Sequence, residues 1–468
     1  MIKQTDVAII GGGPAAIYAA YEFVLRYPKT SVLILEQGHA ITLRQCPIIS
    51  GKVEKCVRCI PCSIMRGFGG AGAFSDGKYN FTTEFGGWLS DYIPKKTVME
   101  LIDYVDALNL KHGAPGEVFS TKNCKIGRKA LGVDLHLLNA KVRHLGTDNN
   151  RKLMASIYCY LVQHGIQIDC DTQVESIKKI DTGYELSVKG SDTLVHCTYL
   201  IGAPGRAGAE WFSDQCERLG LTLTNNQVDV GVRVEVPAAV FQDITDEVYE
   251  AKLVYRTKQY GDRVRTFCMN PNGYVVAENT DGIVTVNGHS FSDPAKNSGN
   301  TNFALLVSNR FTEPFKEPHR YGKHIASLSN MLGGGVLVQR FGDLIKGRRT
   351  NPHRLSQSFT RPTLNAVPGD LSLVLPKRHL DNIIEMIYAL DKVAPGTAND
   401  DTLLYGVEVK FYSSRLELDD KLETTLPNFF AIGDGAGITR GLSQASASGV
   451  YVARIIGERL QKNRKHVT

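Results

Sequence analysis

Two groups of residues near the start of the chain have types and spacings suited to chemistry. The first is Gly11-Gly12-Gly13-Pro14-Ala15-Ala16, where Gly11, Gly13 and Ala16 fill a Gly-x-Gly-x-x-Gly/Ala pattern. It follows the apolar run Asp6-Val7-Ala8-Ile9-Ile10 and precedes a helical pattern from Ile17 to Leu25. Gly11 allows a tight turn, Gly13 lets the backbone approach a pyrophosphate, and Ala16 keeps the helix against the sheet. Pro14 and Ala15 fall in the first helical turn, where bare amides face an anion and the missing N–H of proline does no harm. A second apolar strand, Ser31 to Leu35, ends in Glu36, an acid placed to hold ribose hydroxyls. Strand, glycines, helix, strand and acid together form the signature of a dinucleotide site.

The second group is Cys46, Cys56, Cys59 and Cys62, spaced C-x9-C-x2-C-x2-C. Four thiolates suit an iron–sulfur cluster or an all-cysteine zinc site. Redox-active thiols and a loop of unliganded cysteines are the other readings, and the spacing leaves all three open. The run differs from a ferredoxin-type one: its fourth cysteine lies upstream and no Cys-Pro follows Cys62. Arg44, Lys52, Lys55, Arg58 and Arg66 supply positive charge that would lower thiol pKa values or offset a thiolate cluster. Cys159, Cys170 and Cys197 sit in apolar patterns and are expected in the core. Gly69 to Gly77 is too glycine-dense for the interior of a helix or strand. A backbone-amide loop against a cofactor, with Gly70 and Ser75 in contact, fits as well as a plain loop does.

Two distant segments bear on the first group. Asn428 to Ile432 runs into Gly433-Asp434-Gly435-Ala436-Gly437, and Gly441-Leu442-Ser443 opens a helix of small residues through Gly449. Tyr199-Leu200-Ile201 runs into Gly202-Ala203-Pro204-Gly205-Arg206. The strand-Gly-Asp segment resembles the C-terminal motif of flavoproteins of the glutathione-reductase-like and hydroxybenzoate-hydroxylase-like superfamily. The resemblance implies FAD, with Asp434 on the ribitol chain and the helix from Gly441 aimed at the flavin ring. A helix N-terminus there favours negative charge on reduced flavin. It also implies that Ala203 and Gly205 lie beside the FAD phosphates, and that Val174 offers a backbone contact to adenine. Ala203 and Pro204 depart from the Ala-Thr-Gly form of that family. Gly69 to Lys78 and Phe267-Cys268-Met269-Asn270-Pro271 look like a bacterial subgroup of FAD-dependent dehydrogenases, a likeness that brings no substrate with it.

The elements that must position these groups follow from periodicity. Thr97 to Lys111 reads as a helix with Val98, Leu101, Ile102, Val105 and Leu108 on one face, and Lys152 to His164 as another. Strands are expected at 166–169, 174–180, 183–189 and 193–201. From residue 216 the pattern changes. Val228 to Val236 alternates as a half-exposed strand should, and 274–277 with 282–287 reads as a hairpin. Leu380 to Lys392 is helical. The expected fold is α/β: a Rossmann-type FAD-binding domain, with parallel sheet and β-meander, from 1–215 and 401–468. It carries a Cys/Gly-rich insertion at 46–80 and an inserted mixed α+β substrate or cap domain at 216–400. No second strand-Gly-x-Gly-x-x-Gly-helix unit occurs, so a nicotinamide, NAD(P)H, would act only as a transient electron donor. No motif marks a catalytic acid or base; Cys268, His289, Arg340, Glu408 and Lys410 are candidates by position alone.

Composition fits this reading. The 468 residues are 43% hydrophobic and 22% charged, enough to bury large cores, with a net charge of +6. The one basic run, 461–466, reads as a solvated terminus and not as a nucleic-acid site. No stretch has the apolar length of a membrane span, and the start has no signal-peptide pattern, so a cytoplasmic location is expected. The leading expectation is an FAD-dependent oxidoreductase moving hydride between a small-molecule substrate and flavin N5. Two alternatives remain: an electron-transfer flavoprotein relaying electrons through the cysteines to a partner protein, and a flavin or thiol redox sensor.

Overall fold

The computed structural model describes residues 2–467, apart from positions 48, 54–56, 58, 123, 140, 225, 249, 281, 292, 310, 312–317 and 411. The chain forms two compact units. The first comprises Met1–Val118, Val142–Asn226 and Tyr412–Thr468; the second comprises Phe119–Lys141 and Gln227–Phe411. Residues 119–141, read from the sequence with the first segment, thus group with the inserted unit.

The first unit is built on a parallel sheet. Ile2–Ile10 lies at its centre, between Val32–Leu35 and Leu194–Gly202, and pairs in parallel with both. Gln167–Asp169 continues the sheet on one side and Phe429–Ala431 on the other, again in parallel. The N-terminal half of Leu194–Gly202 also pairs antiparallel with Gly183–Val188, which pairs with Val174–Ile180. This is the expected α/β architecture, a Rossmann-type sheet with a β-meander. Val7 to Ile10 and Val32 to Leu35 are buried throughout, as strands covered on both faces must be.

Helix Pro14–Arg26 packs against the long helix Leu442–Val467 through small residues. A Cβ on Gly449 would overlap the carbonyl of Ala15, so the two backbones meet where a side chain has no room. Helix Lys95–Lys111 buries Val98, Leu101, Ile102, Val105 and Leu108, the face given by its periodicity. Helix Thr147–Gln163 starts earlier than its apolar pattern does. Asp148, Asn149 and Asn150 occupy its first turn, and residues of low helix propensity conceal a helix start from a periodicity reading.

The second unit holds an eight-stranded mixed sheet. Its order is Val367–Pro368, Leu337–Arg340, Leu403–Lys410, Val228–Pro237, Asn300–Asn309, Arg263–Asn270, Leu253–Arg256 and Leu135–Leu137. One face buries Val228, Val230, Val232, Val234 and Val236 with residues of helices Ala238–Glu247 and Lys377–Asp391. The strand at 228–237 is not half-exposed as its alternation suggests: Asp229, Arg233 and Glu235, on the other face, are buried as well. The alternation is real, but the polar side is enclosed within the unit, where Asp229 meets Arg265 and Arg233 meets Glu408. The expected hairpin, Tyr274–Thr280 with Ile283–His289, is one of its covers. Among the described residues, no helix is long and apolar enough to cross a membrane.

Candidate functional site

The first unit brings the glycine turn, the acid of the second strand, the glycine-dense loop and the C-terminal glycines together. Gly11 has φ +101°, and a Cβ there would overlap the Ala203 carbonyl, so glycine is needed for the strands to close. Gly13 differs: a Cβ there would meet no protein atom within 4 Å. Gly13 caps helix Pro14–Arg26, whose first turn holds Pro14, Ala15 and Ala16, and the amides of such a turn have no intrahelical acceptor. Open space beside unpaired amides at the positive end of a helix suits a diphosphate.

Glu36 is buried and accepts three backbone amides, from Gly12 at 2.6 Å, Gly38 at 2.8 Å and Gly67 at 2.9 Å. A carboxylate has about four acceptor sites, so one remains for a ribose hydroxyl. Sequence reasoning gave this acid only the ribose; most of its capacity fixes the surrounding loops.

The glycine-dense loop is ordered against the turn. The amide of Gly69 donates to the Gly12 carbonyl at 2.8 Å, and Gly70 stands against Gly13. Residues Ala71–Phe74 form a short 3-10 turn, and Ser75 turns its hydroxyl to the Gly72 carbonyl at 2.7 Å. Asn150 donates to the same carbonyl at 2.6 Å. Arg44 holds the loop from beneath. Its buried guanidinium donates to the carbonyls of Ser63, Ile64, Phe68 and Gly70 at 2.7–2.9 Å, and more weakly to Gly67. Burial draws its pKa down to about 10, against the pull of the Glu36 carboxylate. Arg44 was expected to lend positive charge to the cysteine segment; its donors go to backbone oxygens, and Cys62 is among the groups that act on its charge. The sequence signal for this role was slight, a single arginine ahead of a glycine-dense stretch.

The C-terminal segment closes the site. The Asp434 carboxylate accepts from the Thr439 hydroxyl at 2.8 Å and the Gly441 amide at 3.3 Å, and its second oxygen lies 3.9 Å from Arg206. A Cβ on Gly205 would enter open space, whereas one on Gly433 would press on Ala15. Leu442 begins the long helix and touches the space beside Gly72. Ser443 follows it, 5% exposed, and its hydroxyl has no hydrogen-bond partner among the described residues. An orphaned buried hydroxyl at a helix start is an atom that a ligand would satisfy. A segment not found from the sequence completes this wall. The amide of Trp88 donates to the Ile438 carbonyl, that of Arg440 to Gly86, and the Gln444 side-chain amide to Phe85. Val174, proposed for adenine, is buried at the start of the meander.

Among the described cysteines of the second group, Cys59 is exposed while Cys46 and Cys62 are half-buried. Cys56 and Arg58 lie outside the described residues. Among the described residues, no three His, Cys, Asp or Glu side chains form a group able to hold a metal ion. Cys197 is buried and Cys170 half-buried, with burial pushing both thiols up to about 12. Cys159, expected in the core, is exposed on helix Thr147–Gln163. The apolar pattern around it belongs to its neighbours Ile157 and Leu161, which face inward.

The positional candidates for catalysis all belong to the second unit. Glu408 is buried between Arg233, at 3.0 Å, and Lys410, at 2.8 Å. Burial opposes the Arg233 charge, but Glu408 and Cys268 hold its pKa above the usual value. Cys268 has φ +48° at an irregularity of its strand, and its carbonyl accepts from Arg233 at 2.6 Å. Arg340 donates to Asp401 at 2.9 Å and lies 3.7 Å from Asp343. His289 packs edge-on against Phe291, with ring centroids 4.8 Å apart.

Residues 227–411 match the family described as "FAD-dependent protein, C-terminal domain-like". The match ends where the main segment of the second unit ends. A protein of Clostridium beijerinckii (strain ATCC 51743 / NCIMB 8052), described as an uncharacterized protein, is 28% identical over 482 residues. The aligned region covers 98% of this chain and 81% of that protein. Among solved structures, glycine oxidase from Geobacillus kaustophilus aligns over 98% of this chain and 95% of its own, at 12% identity and a TM-score of 0.42. L-alpha-glycerophosphate oxidase from Mycoplasma pneumoniae, solved with FAD bound, aligns over 97% and 95%, at 13% identity and a TM-score of 0.40. Likenesses at this level add nothing to the sheet order already described.

Proposed function

We propose that the chain is an FAD-dependent oxidoreductase that moves hydride between a small-molecule substrate and flavin N5. The observation that carries the reading is the convergence of the Gly11–Ala16 turn, Glu36, the Gly67–Gly77 loop, Gly205 and the Asp434–Ser443 segment in one Rossmann-type unit. The family description for residues 227–411 supports the same cofactor. Two features of the site fit FAD: the room beside Gly13 and the unsatisfied hydroxyl of Ser443.

Gly13 and the amides of the first helical turn would receive the diphosphate, and Glu36 would take the adenosine ribose at its remaining acceptor site. Asp434, steadied by Thr439 and Gly441, would accept from the ribitol hydroxyls. The helix start at Leu442 and Ser443 would face the ring and favour negative charge there. When bound, the flavin supplies the hydride-accepting or hydride-donating centre. The protein orients it and, through the carbonyls gathered by Arg44, keeps the covering loop in place. NAD(P)H is proposed as an electron donor that docks only transiently, since the sequence holds no second glycine-rich dinucleotide motif to retain it.

The test is direct. Purified protein should be yellow and release intact FAD on heat denaturation, identified by chromatography. FMN, or a nicotinamide nucleotide without flavin, would refute the reading.

A further inference from the structure

The enclosed polar face of the second unit's sheet buries several charged side chains. Asp229, Gly231, Arg233 and Glu235 alternate along the central strand, and Glu408 and Lys410 come from the neighbour paired with it. Glu235 is fully engaged: it accepts from Asn300 at 3.1 Å, from the amide and hydroxyl of Thr363, and from Tyr405. The group around Glu408 is different. Arg233 and Glu408 are 0% exposed and Lys410 is 6% exposed, so one carboxylate is shared by two buried cations. Counted by itself, this triad carries one more positive than negative charge; on the same face Asp229 is held by Arg265, and Glu235 by the neutral donors just named. Buried charge is costly unless it is paired, and such an excess favours an anion.

A second observation lies at the other end of the same guanidinium. Arg233 Nε donates to Asn302 Oδ1 at 2.8 Å, and Asn270 Nδ2 donates to the Cys268 carbonyl at 2.9 Å. These bonds fix which way each amide faces. Asn302 Nδ2 and Asn270 Oδ1 are then left as a buried donor and a buried acceptor with no partner among the described residues. Both residues are 0% exposed. The backbone is irregular here as well. Cys268 is left-handed, and the pairing register slips between Phe267 and Asn270. Bulges and strained residues of this kind gather where a strand must aim groups at a ligand. Gly288 lies directly over Arg233, where a Cβ would overlap the guanidinium, so the hairpin is cut to fit the cluster.

We propose that Lys410, Arg233, Asn302 and Asn270 form a recognition site for a small organic carboxylate bearing a second polar group. The carboxylate is taken on the Lys410 side, and the Asn302–Asn270 amide pair takes a hydroxyl or comparable group, which accepts from one and donates to the other. The inference rests on the proposed oxidoreductase reading only in calling this ligand the substrate.

Calorimetric titration of the protein as purified, with L-malate, L-lactate and succinate and with neutral glycerol as control, tests the site. Expected is saturable binding of at least one carboxylate, and no binding of glycerol. That binding should be weakened tenfold or more by Lys410→Met and by Asn302→Ala. If Lys410→Met does not fold, Asn302→Ala and the charge-retaining Lys410→Arg decide, the first losing affinity and the second keeping most of it. Absence of carboxylate binding, equal binding by glycerol, or unchanged affinity in the variants overturns the site. Flavin absorbance of the same samples separates the two readings. A yellow protein without carboxylate binding refutes this site alone, and a colourless one with the expected pattern refutes only the flavin reading.

Discussion

Glu36 Oε1 accepts the backbone amide of Gly67 at 2.9 Å, while the other oxygen of the same carboxylate holds Gly12 at 2.6 Å. One acid thereby joins the end of the second strand, the glycine turn and the glycine-dense loop. Alanine at this position would leave three buried amides unsatisfied, each costing about 1–3 kcal/mol. Glu36→Ala should therefore lower both the thermal midpoint and the affinity for FAD. Glu36→Gln keeps an acceptor oxygen and should recover part of each loss. Paired melting curves and flavin titrations check this, and an alanine variant as stable as wild type would contradict it.

Gly11 and Gly13 belong to one motif but should fail in different ways. A Cβ on Gly11 would overlap Ala203, and its φ of +101° strains any side chain. Gly11→Ala should thus destabilise the fold with or without cofactor. A side chain on Gly13 would enter space clear of protein. Gly13→Leu should fold with a near-native melting curve in the absence of flavin yet lose FAD binding. Equal stability losses in the two variants would contradict the assignment of that space to a ligand.

What the sequence made legible was the buried parallel sheet and its glycine turns, because strands covered on both faces read as unbroken apolar runs. Val7 to Ile10, Val32 to Leu35 and Phe429 to Ala431 are of this kind. Side chains satisfied by backbone leave no such pattern. Arg44 binds carbonyls, which have no residue signature, and it reads as an ordinary cation until the loop is folded around it. The strand at 228–237 misled for a related reason. Alternation reports polarity and not exposure, and it cannot distinguish solvent from a second buried layer. Small residues carried two meanings as well: Gly449 lies within the stretch expected to approach a flat ring, yet its place is the contact with Ala15.

The second unit should lose stability in mild acid through His379. This side chain is 5% exposed, neither ring nitrogen has a partner among the described residues, and burial pushes its pKa down to about 4. An unfolded histidine titrates near 6.5. Between these values the unfolded chain binds the proton and the folded one does not, so stability falls as pH drops from about 6.5 to about 4 and levels off below. The full effect is on the order of 3 kcal/mol at 1.36 kcal/mol per pKa unit. His379→Phe removes the titrating group and should flatten the profile over that window. Melting midpoints of both proteins at pH 7.5 and 4.5 measure the difference, and parallel declines would assign the acid sensitivity elsewhere.

Ser443 offers the sharpest separation of stability from binding. Its hydroxyl is enclosed at the start of the helix Leu442–Val467, without a partner among the described residues. An unsatisfied buried hydroxyl costs about 1–3 kcal/mol, and removing it relieves that cost. Ser443→Ala should therefore melt at or above the wild-type midpoint when both proteins are stripped of flavin. With FAD present the order should reverse, because the cofactor stabilises the fold in proportion to its affinity. Loss of one hydrogen bond worth about 0.5–1.5 kcal/mol weakens that affinity by roughly two- to tenfold. A hydroxyl with a purely structural role would lower the flavin-free midpoint and leave FAD affinity unchanged, so two melting curves and one titration decide between the roles.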